Sequence, residues 1–234
     1  MFQVMNRPTV EEVGVQRYRQ LLEKSARVFK PDPKVKKDEL NIDGIQSEWL
    51  MPTDCDPDSV ILYIHGGGYI AGSINSHRDL ASRIAKAARA RVLIFNYRLA
   101  PEHPFPAGLE DAEKVWNWVY ERYNDRHITL AGDSAGGGMA LSLTASLSNQ
   151  GRPLPHAAVV LSPWTDLSCP ETNAHAENRG RDFMLNLSLL RQTAGMYAKN
   201  DLTSPLISPV NHSFAGMPPT LIQVGRNEIL LDDS

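Results

Sequence analysis

The sequence has few of the features that mark membrane, secreted or nucleic-acid-binding proteins. It contains only two cysteines among 234 residues, which predicts free thiols in a reducing compartment and leaves a single Cys55–Cys169 disulfide as the alternative. No apolar run is long enough to span a bilayer, and the first residues lack the basic start and apolar core of a signal peptide. The net charge is −3 with lysine and arginine scattered, so no nucleic-acid or anionic-membrane surface is expected. We expect a cytoplasmic protein.

The sequence does contain enough apolar residues for one large domain. Its hydrophobic fraction is 42% and its charged fraction is 22%, which predicts a sizeable core. From Val60 onward, short apolar runs that predict buried strands alternate with segments of helical spacing. This alternation is typical of βαβ units in a mostly parallel sheet, so the predicted fold class is α/β.

The pattern before Val60 is weaker. Apolar spacing over 9–29 predicts a loosely amphipathic helix. The stretch KPDPKVKKD at 30–38 predicts a polar, proline-punctuated linker. Alternation over 40–50 then predicts early strands near a sheet edge.

A glycine-rich turn separates a strand run from a helical run within 127–149. The turn reads GDSAG and matches the nucleophile elbow pattern G-x-S-x-G, whose glycines allow a sharp bend that lifts a serine hydroxyl above the sheet. Ser134 is that serine and the predicted nucleophile. The helix behind it directs free N–H groups toward negative charge that develops on a bound carbonyl oxygen. Taken alone, the pattern fits a structural turn with a solvated serine equally well.

A second motif lies upstream of the elbow. The run VILYIHGGGY at 60–69 ends in three glycines, as in the HGGG element that supplies oxyanion-hole donors in lipases and esterases. With the elbow and the segment YRLAPEHPFPAGLEDA at 97–112, it resembles the hormone-sensitive-lipase-like carboxylesterases of the α/β-hydrolase fold. The resemblance extends from about Ile45 to the last residue.

The resemblance implies site residues and a domain plan. Backbone N–H groups of Gly67, Gly68 and Ala135 would form the oxyanion hole, and His65 would be structural rather than the catalytic base. The fold would be a mostly parallel sheet flanked by helices and covered by a helical cap.

The cap would have two parts, an N-terminal segment at 1–39 and an insertion at about 168–204 within a core of 40–234. Met184, Met196 and Tyr197 in the insertion suit either an acyl pocket or cap packing, and no binding role is assigned to them.

The triad acid is expected in the turn after the strand run TLIQV. Aligning the leucines of GRNEILLDDS with the family pattern places Glu228 at the acid position, while Asn227 stands where many relatives have Asp. Asp232 and Asp233 are the alternatives, although a solvated pair that opens the next helix suits them better.

No histidine follows Glu228, although the chain order of this fold places the base after the acid. None of the earlier histidines suits the role, namely His77, His103, His127, His156, His175 and His212. One explanation is a fragment without the last strand, the catalytic-histidine loop and the closing helix; the other is a natural chain that has lost its catalytic machinery. We favour the fragment because Ser134, Glu228 and the glycine loop are intact. Truncation would leave the TLIQV strand as an exposed apolar edge.

The expected function is that of a serine carboxylesterase. It would hydrolyse small esters of short- to medium-chain acids through an acyl-enzyme, with no cofactor and no metal. A non-catalytic ligand-binding homologue, or an amidase or deacetylase with the same machinery, are the alternatives. A homodimer stays open, because relatives often dimerise through the C-terminal strand and helix.

Overall fold

One seven-stranded sheet organises the described part of the chain. The computed structural model describes residues 9–124, 126–171, 173–178, 180–199 and 201–234, without the side chains of 173, 175 and 176. The strands are β1 (Val35–Ile42), β2 (Ile45–Pro52), β3 (Ser59–Ile64), β4 (Arg91–Phe95), β5 (His127–Asp133), β6 (Ala157–Leu161) and β7 (Thr220–Gln223). Their spatial order is β1-β2-β4-β3-β5-β6-β7. Pairing is antiparallel from β1 through β2 to β4 and parallel from β4 to β7, which confirms the predicted mostly parallel sheet.

Helices connect the strands and cover both faces of the sheet. Within the described residues they are α1 (Val10–Val13), α2 (Val15–Ala26), α3 (Ile74–Ala88), α4 (Ala107–Tyr123), α5 (Ala135–Asn149), α6 (Asn173–Asn178), α7 (Leu187–Tyr197) and a 3₁₀ turn (Pro209–Asn211). Helices α6 and α7 lie in the long connection 162–219, called here the β6–β7 insertion. No helix in the described ranges is both long and apolar enough to cross a membrane.

The central strand β3 is buried on both of its faces. Leu62 and Ile64 belong to the core cluster that includes residues of α4 and α5, whereas Ile61 and Tyr63 belong to the cluster that includes α3. Successive side chains of a strand point to opposite faces. A strand covered on both faces needs apolar residues at every position, which explains the unbroken run VILYI.

Two expectations for the N-terminal part were wrong in detail. The helical pattern over 9–29 is divided at Gly14, whose φ of 76° and ψ of 157° are not helical. The predicted linker at 30–38 ends early, because β1 begins at Val35, which pairs with Pro52. Four consecutive exposed charged residues, at 36–39, hide this strand from pattern analysis. Charged side chains on an edge strand oppose pairing with other chains.

Strand β7 forms the opposite edge of the sheet, and all of its residues are exposed. Leu221 and Ile222 are 61% and 41% exposed. Both cysteines are free thiols, so the Cys55–Cys169 bridge that the sequence left open is absent.

A buried ion pair fastens α3 to the sheet. Glu48 on β2 is only 1% exposed, and its two oxygens accept hydrogen bonds of 2.6 and 2.9 Å from the Arg78 guanidinium. A buried carboxylate without its partner is strongly destabilising.

We expect Arg78→Met to lower the free energy of unfolding by about 2–3 kcal/mol, less than for a fully buried pair because Arg78 retains some exposure. The control is Arg83→Met on the same helix, since Arg83 is largely exposed and pairs with Asp79 one turn away. That variant should change stability by about 0.5 kcal/mol or less. Urea unfolding of both variants measures the difference, and equal losses would contradict the assigned role of Arg78.

Candidate active site

Ser134 lies in a strained turn between β5 and α5. Its φ of 52° and ψ of −122° are values that residues with a side chain rarely adopt. Its N–H donates to the Leu161 carbonyl at 2.9 Å, and its carbonyl accepts from the N–H groups of Gly138 and Trp164, both at 3.0 Å. These bonds hold the turn between β6 and the first turn of α5, and the Ser134 side chain remains partly exposed.

The glycines of the elbow permit close backbone contact with β3. A Cβ atom on Gly136 would overlap the carbonyl oxygen of Ile64 and lie 2.5 Å from that of His65. A Cβ atom on Gly132 would lie 2.5 Å from the Gly136 carbonyl oxygen. Helix α5 therefore begins against the end of β3, which brings Ser134 beside the glycine loop at 66–68.

The glycine loop presents unpaired N–H groups. Gly67 and Gly68 have φ values of 124° and 64°, which glycine adopts without steric cost. The N–H groups of Gly67, Gly68 and Ala135 have no hydrogen-bond acceptor within the described residues. These three residues remain the predicted oxyanion donors.

Asp133 connects the elbow to the glycine loop. Its carboxylate accepts hydrogen bonds from the Tyr63 hydroxyl at 2.7 Å, the Gly66 N–H at 3.0 Å and His77 Nε2 at 3.3 Å. Burial alone would raise the pKa of Asp133, but His77 and the other donors hold that pKa below its ordinary value. Burial likewise opposes the charge of His77, but the Asp133 carboxylate raises the pKa of His77 above its ordinary value. The two side chains therefore form an ion pair at the base of the elbow.

Pattern analysis assigned no role to Asp133 and set His77 aside. The available signal for Asp133 was its position inside the elbow, at the end of a buried strand. Nothing in the sequence connects His77 to it, because the two residues are 56 positions apart.

His65 occupies a structural position below the glycine loop. Its ring stacks on Tyr97 with centroids 4.3 Å apart, and its Nδ1 lies 2.9 Å from the Gly66 carbonyl oxygen. Burial and the nearby His77 lower the pKa of His65 to about 3, so the imidazole is neutral. His65 does not line the cleft that Ser134 lines.

Glu228 lies in the turn after β7 and lines the same cleft as Ser134. Its Oε1 accepts a hydrogen bond of 2.8 Å from the Gly225 N–H. Its Oε2 has no partner within the described residues. Asn227, next to it, also lines the cleft and is exposed.

Asp232 and Asp233 do not form a solvated pair that opens a helix, so that expectation was wrong. Residues 229–233 form turns, and neither carboxylate lines the Ser134 cleft. Asp233 Oδ1 accepts from the N–H groups of Thr165 and Asp166 at 2.9 and 2.8 Å, and Asp232 Oδ2 accepts from the Ala174 N–H at 2.9 Å. Burial raises the pKa of Asp233 to about 6.

The cleft shared by Ser134 and Glu228 has a volume of about 650 Å³. Much of its wall is apolar and comes from Leu80, Leu161, Phe183, Met184, Leu185 and Leu230. Met184 thus lines the cleft, whereas Met196 does not. Tyr197 packs inside the protein, stacked on Tyr69 with ring centroids 3.8 Å apart. A cleft of this size and character suits a small, weakly polar molecule.

No histidine side chain that the structure describes lines this cleft. His77 is engaged with Asp133, and His127 and His156 contact each other, with His127 at the start of β5. His103 is exposed, and His212 packs on a neighbouring phenylalanine. The side chain of His175 lies outside the described residues. The described residues also contain no group of three or more potential ligands that could hold a metal ion.

Comparison with known proteins gives consistent matches along the chain. Residues 61–234 match the family model described as the alpha/beta hydrolase fold. An acetyl-hydrolase of Streptomyces hygroscopicus is 43% identical over 199 residues, which cover 84% of this chain and 66% of that protein. An esterase of Acinetobacter venetianus is 32% identical over 92% of this chain and 72% of its own length. The chain thus spans just under two thirds of the acetyl-hydrolase.

Solved structures agree with the sequence relatives. An esterase from the bacterial hormone-sensitive lipase family superposes with a TM-score of 0.89 at 38% identity, covering 98% of this chain and 76% of that one. An esterase/lipase from an uncultured bacterium gives a TM-score of 0.90 at 38% identity, covering 95% and 75%.

A methyl group at Gly136 should disrupt the contact between elbow and strand. We expect Gly136→Ala to lower the free energy of unfolding by about 2–4 kcal/mol, because backbone atoms of Ile64 and His65 must move to admit it. Gly195→Ala in α7 is the matched control, since nothing lies within 4 Å of its Cβ position. It should gain about 0.5–1 kcal/mol from helix propensity. Chemical denaturation of both variants decides the matter, and a neutral Gly136→Ala would refute the close contact.

The His77–Asp133 pair predicts a pH dependence of stability. Because the pKa of His77 is raised in the folded protein, its stabilisation is fully present below the ordinary value of 6.5 and is lost as pH rises through the folded value. Between about pH 6 and pH 9, the parent should therefore lose more unfolding free energy than His77→Gln. His103→Gln, at an exposed position, is the control and should follow the parent. Parallel profiles for the parent and His77→Gln would rule out the ion pair.

Proposed function

This chain belongs to the hormone-sensitive-lipase-like group of the α/β-hydrolase fold family, and on that premise we propose that it is a serine carboxylesterase. The single observation that carries the proposal is that Ser134 and Glu228 line one cleft. The free N–H groups of Gly67, Gly68 and Ala135 support it, as do the names of the relatives. The substrates would be small esters with short or medium acyl chains.

In the proposed reaction, Ser134 Oγ attacks the ester carbonyl carbon as its proton passes to a base. Negative charge develops on the carbonyl oxygen, where the N–H groups of Gly67, Gly68 and Ala135 would stabilise it by about 3 kcal/mol each. Collapse of this intermediate expels the alcohol, which takes the proton from the base. Water then attacks the acyl-enzyme and releases the acid. No step requires a metal or a cofactor.

Glu228 would orient the base in this mechanism. Its Oε2 is free to accept a hydrogen bond from an imidazole N–H, while Oε1 is fixed by Gly225. Since no described histidine lines the cleft, the proposal assigns the base to a histidine outside these 234 residues. The greater length of the relatives supports this assignment.

The proposed cap consists of the N-terminal segment 1–39 and the insertion at about 168–204. The N-terminal part contacts the back of the glycine loop, because Arg19 Nε donates to the Ile70 carbonyl at 2.6 Å and Glu23 accepts from the Ser73 hydroxyl at 2.6 Å. The insertion supplies Phe183 and Met184 to the cleft. The acyl chain would lie along this apolar wall.

A non-catalytic ligand-binding role is the second candidate, and the absence of a described histidine from the cleft favours it. Such a protein would keep the fold and the cleft but would not turn over an ester. An amidase or deacetylase would use the same machinery on a different acyl bond, which hydrolysis of matched amide and ester substrates would reveal.

The test compares two serines that line the same cleft, Ser134 and Ser162. In the full-length protein, a fluorophosphonate probe should label Ser134, and Ser134→Ala should lower kcat/KM for p-nitrophenyl butyrate by about 10³-fold or more. Ser162→Ala should stay within about threefold of the parent, since Ser162 has no role in the mechanism. Saturable binding of the ester without labelling or hydrolysis would favour the ligand-binding role instead.

A further inference from the structure

The turn that carries Glu228 makes few hydrogen bonds of its own. Within it, the Glu228 N–H donates to the Gly225 carbonyl at 3.0 Å, and the Gly225 N–H donates to Glu228 Oε1 at 2.8 Å. The strand before it, β7, is an exposed edge. The remaining backbone groups of this turn are bound by side chains of the β6–β7 insertion, which is a long way from it in sequence.

Asn178 provides the first of these contacts. It ends α6 and is only 3% exposed. Its Nδ2 donates to the Glu228 carbonyl at 2.7 Å and to the Arg226 carbonyl at 3.2 Å. Because both partners are carbonyl oxygens, only a side chain with two donors on one atom can satisfy them together.

Asp182 provides the second contact. Its Oδ2 accepts a hydrogen bond of 2.9 Å from the Ile229 N–H. Its Oδ1 accepts from the N–H groups of Met184 and Leu185 at 2.8 and 2.9 Å, which fixes the local turn of the insertion. The Asp182 N–H in turn donates to the Asn178 carbonyl at 3.1 Å, so both side chains project from one hydrogen-bonded turn.

We infer that Asn178 and Asp182 are positioning residues through which the insertion holds the Glu228 turn against the Ser134 cleft. The catalytic part of this inference rests on the proposed function, in which Glu228 is the triad acid. Asp182 directly precedes Phe183 and Met184, which line the cleft. The wall that would contact the acyl chain and the turn that carries the acid are therefore fixed by the same anchor. A displacement of about 1 Å at a reacting group can cost about a hundredfold in rate.

Hydrogen exchange tests the contact without any need for activity. Asp182→Asn keeps one oxygen for the N–H groups of Met184 and Leu185 but places an amide nitrogen against the Ile229 N–H. We expect amide exchange in the peptide 225–231 to accelerate about tenfold in the full-length protein. Asn178→Asp, which sets an acceptor against two carbonyl oxygens, should accelerate the same peptide.

The matched control is Asn186→Ala in the same insertion. Asn186 caps α7 through a hydrogen bond of 2.8 Å from the Leu189 N–H and makes no recorded contact with the Glu228 turn. This variant should accelerate exchange in the first turn of α7 alone. Unchanged protection of 225–231 in Asp182→Asn, or equal loosening of that peptide and of 187–197, would overturn the inference.

Steady-state kinetics separates positioning from simple stabilisation. With p-nitrophenyl butyrate, Asp182→Asn should lower kcat at least about tenfold with KM within about twofold, whereas Asn186→Ala should match the parent. Faster exchange with an unchanged kcat would show a structural contact only and would overturn the positioning role. If the parent itself does not hydrolyse the ester, the proposed function fails, and the exchange result still decides whether the insertion holds this turn.

Discussion

The site depends on one close approach between two backbones, the start of α5 and the end of β3. Glycine at 132 and 136 removes the side chains that would keep them apart. The approach places the strained serine turn directly beside the glycine loop, and Asp133 then ties the two together through hydrogen bonds to both. Without this contact, the serine and the free N–H groups would belong to separate parts of the sheet.

Buried charge reinforces the same region from α3. His77 and Arg78 are neighbours in sequence but bind different partners, Asp133 in the elbow and Glu48 on β2. Each partner is a carboxylate withdrawn from water, and such a group is tolerated because a cation and hydrogen bonds compensate its lost hydration. Helix α3 thus fixes the elbow and the antiparallel part of the sheet at the same time.

Local patterns sufficed for the elements that form the centre of the protein. Apolar runs found β3 and the strand before Ser134, and glycine spacing found the elbow, because these signals arise from burial and backbone sterics within a few residues. Strand β1 was missed in part, since its charged exposed residues resemble a linker. The positions of Asp182 and Asp233 were beyond reach for another reason. Each binds backbone N–H groups 47 or more positions away, and such pairings are set by tertiary structure.

The adjacency of His77 and Arg78 also bears on how this chain can change in evolution. Successive residues of an α-helix point about 100° apart, so one inserted or deleted residue early in α3 would turn both side chains away from their carboxylates. Two buried anions would lose their cations in a single event. Substitutions are tolerable on the outer face of α3, where Arg83, Lys86 and Ala87 are exposed. Its length and phase are not free to drift, and sequence length should vary among descendants in the surface loops instead.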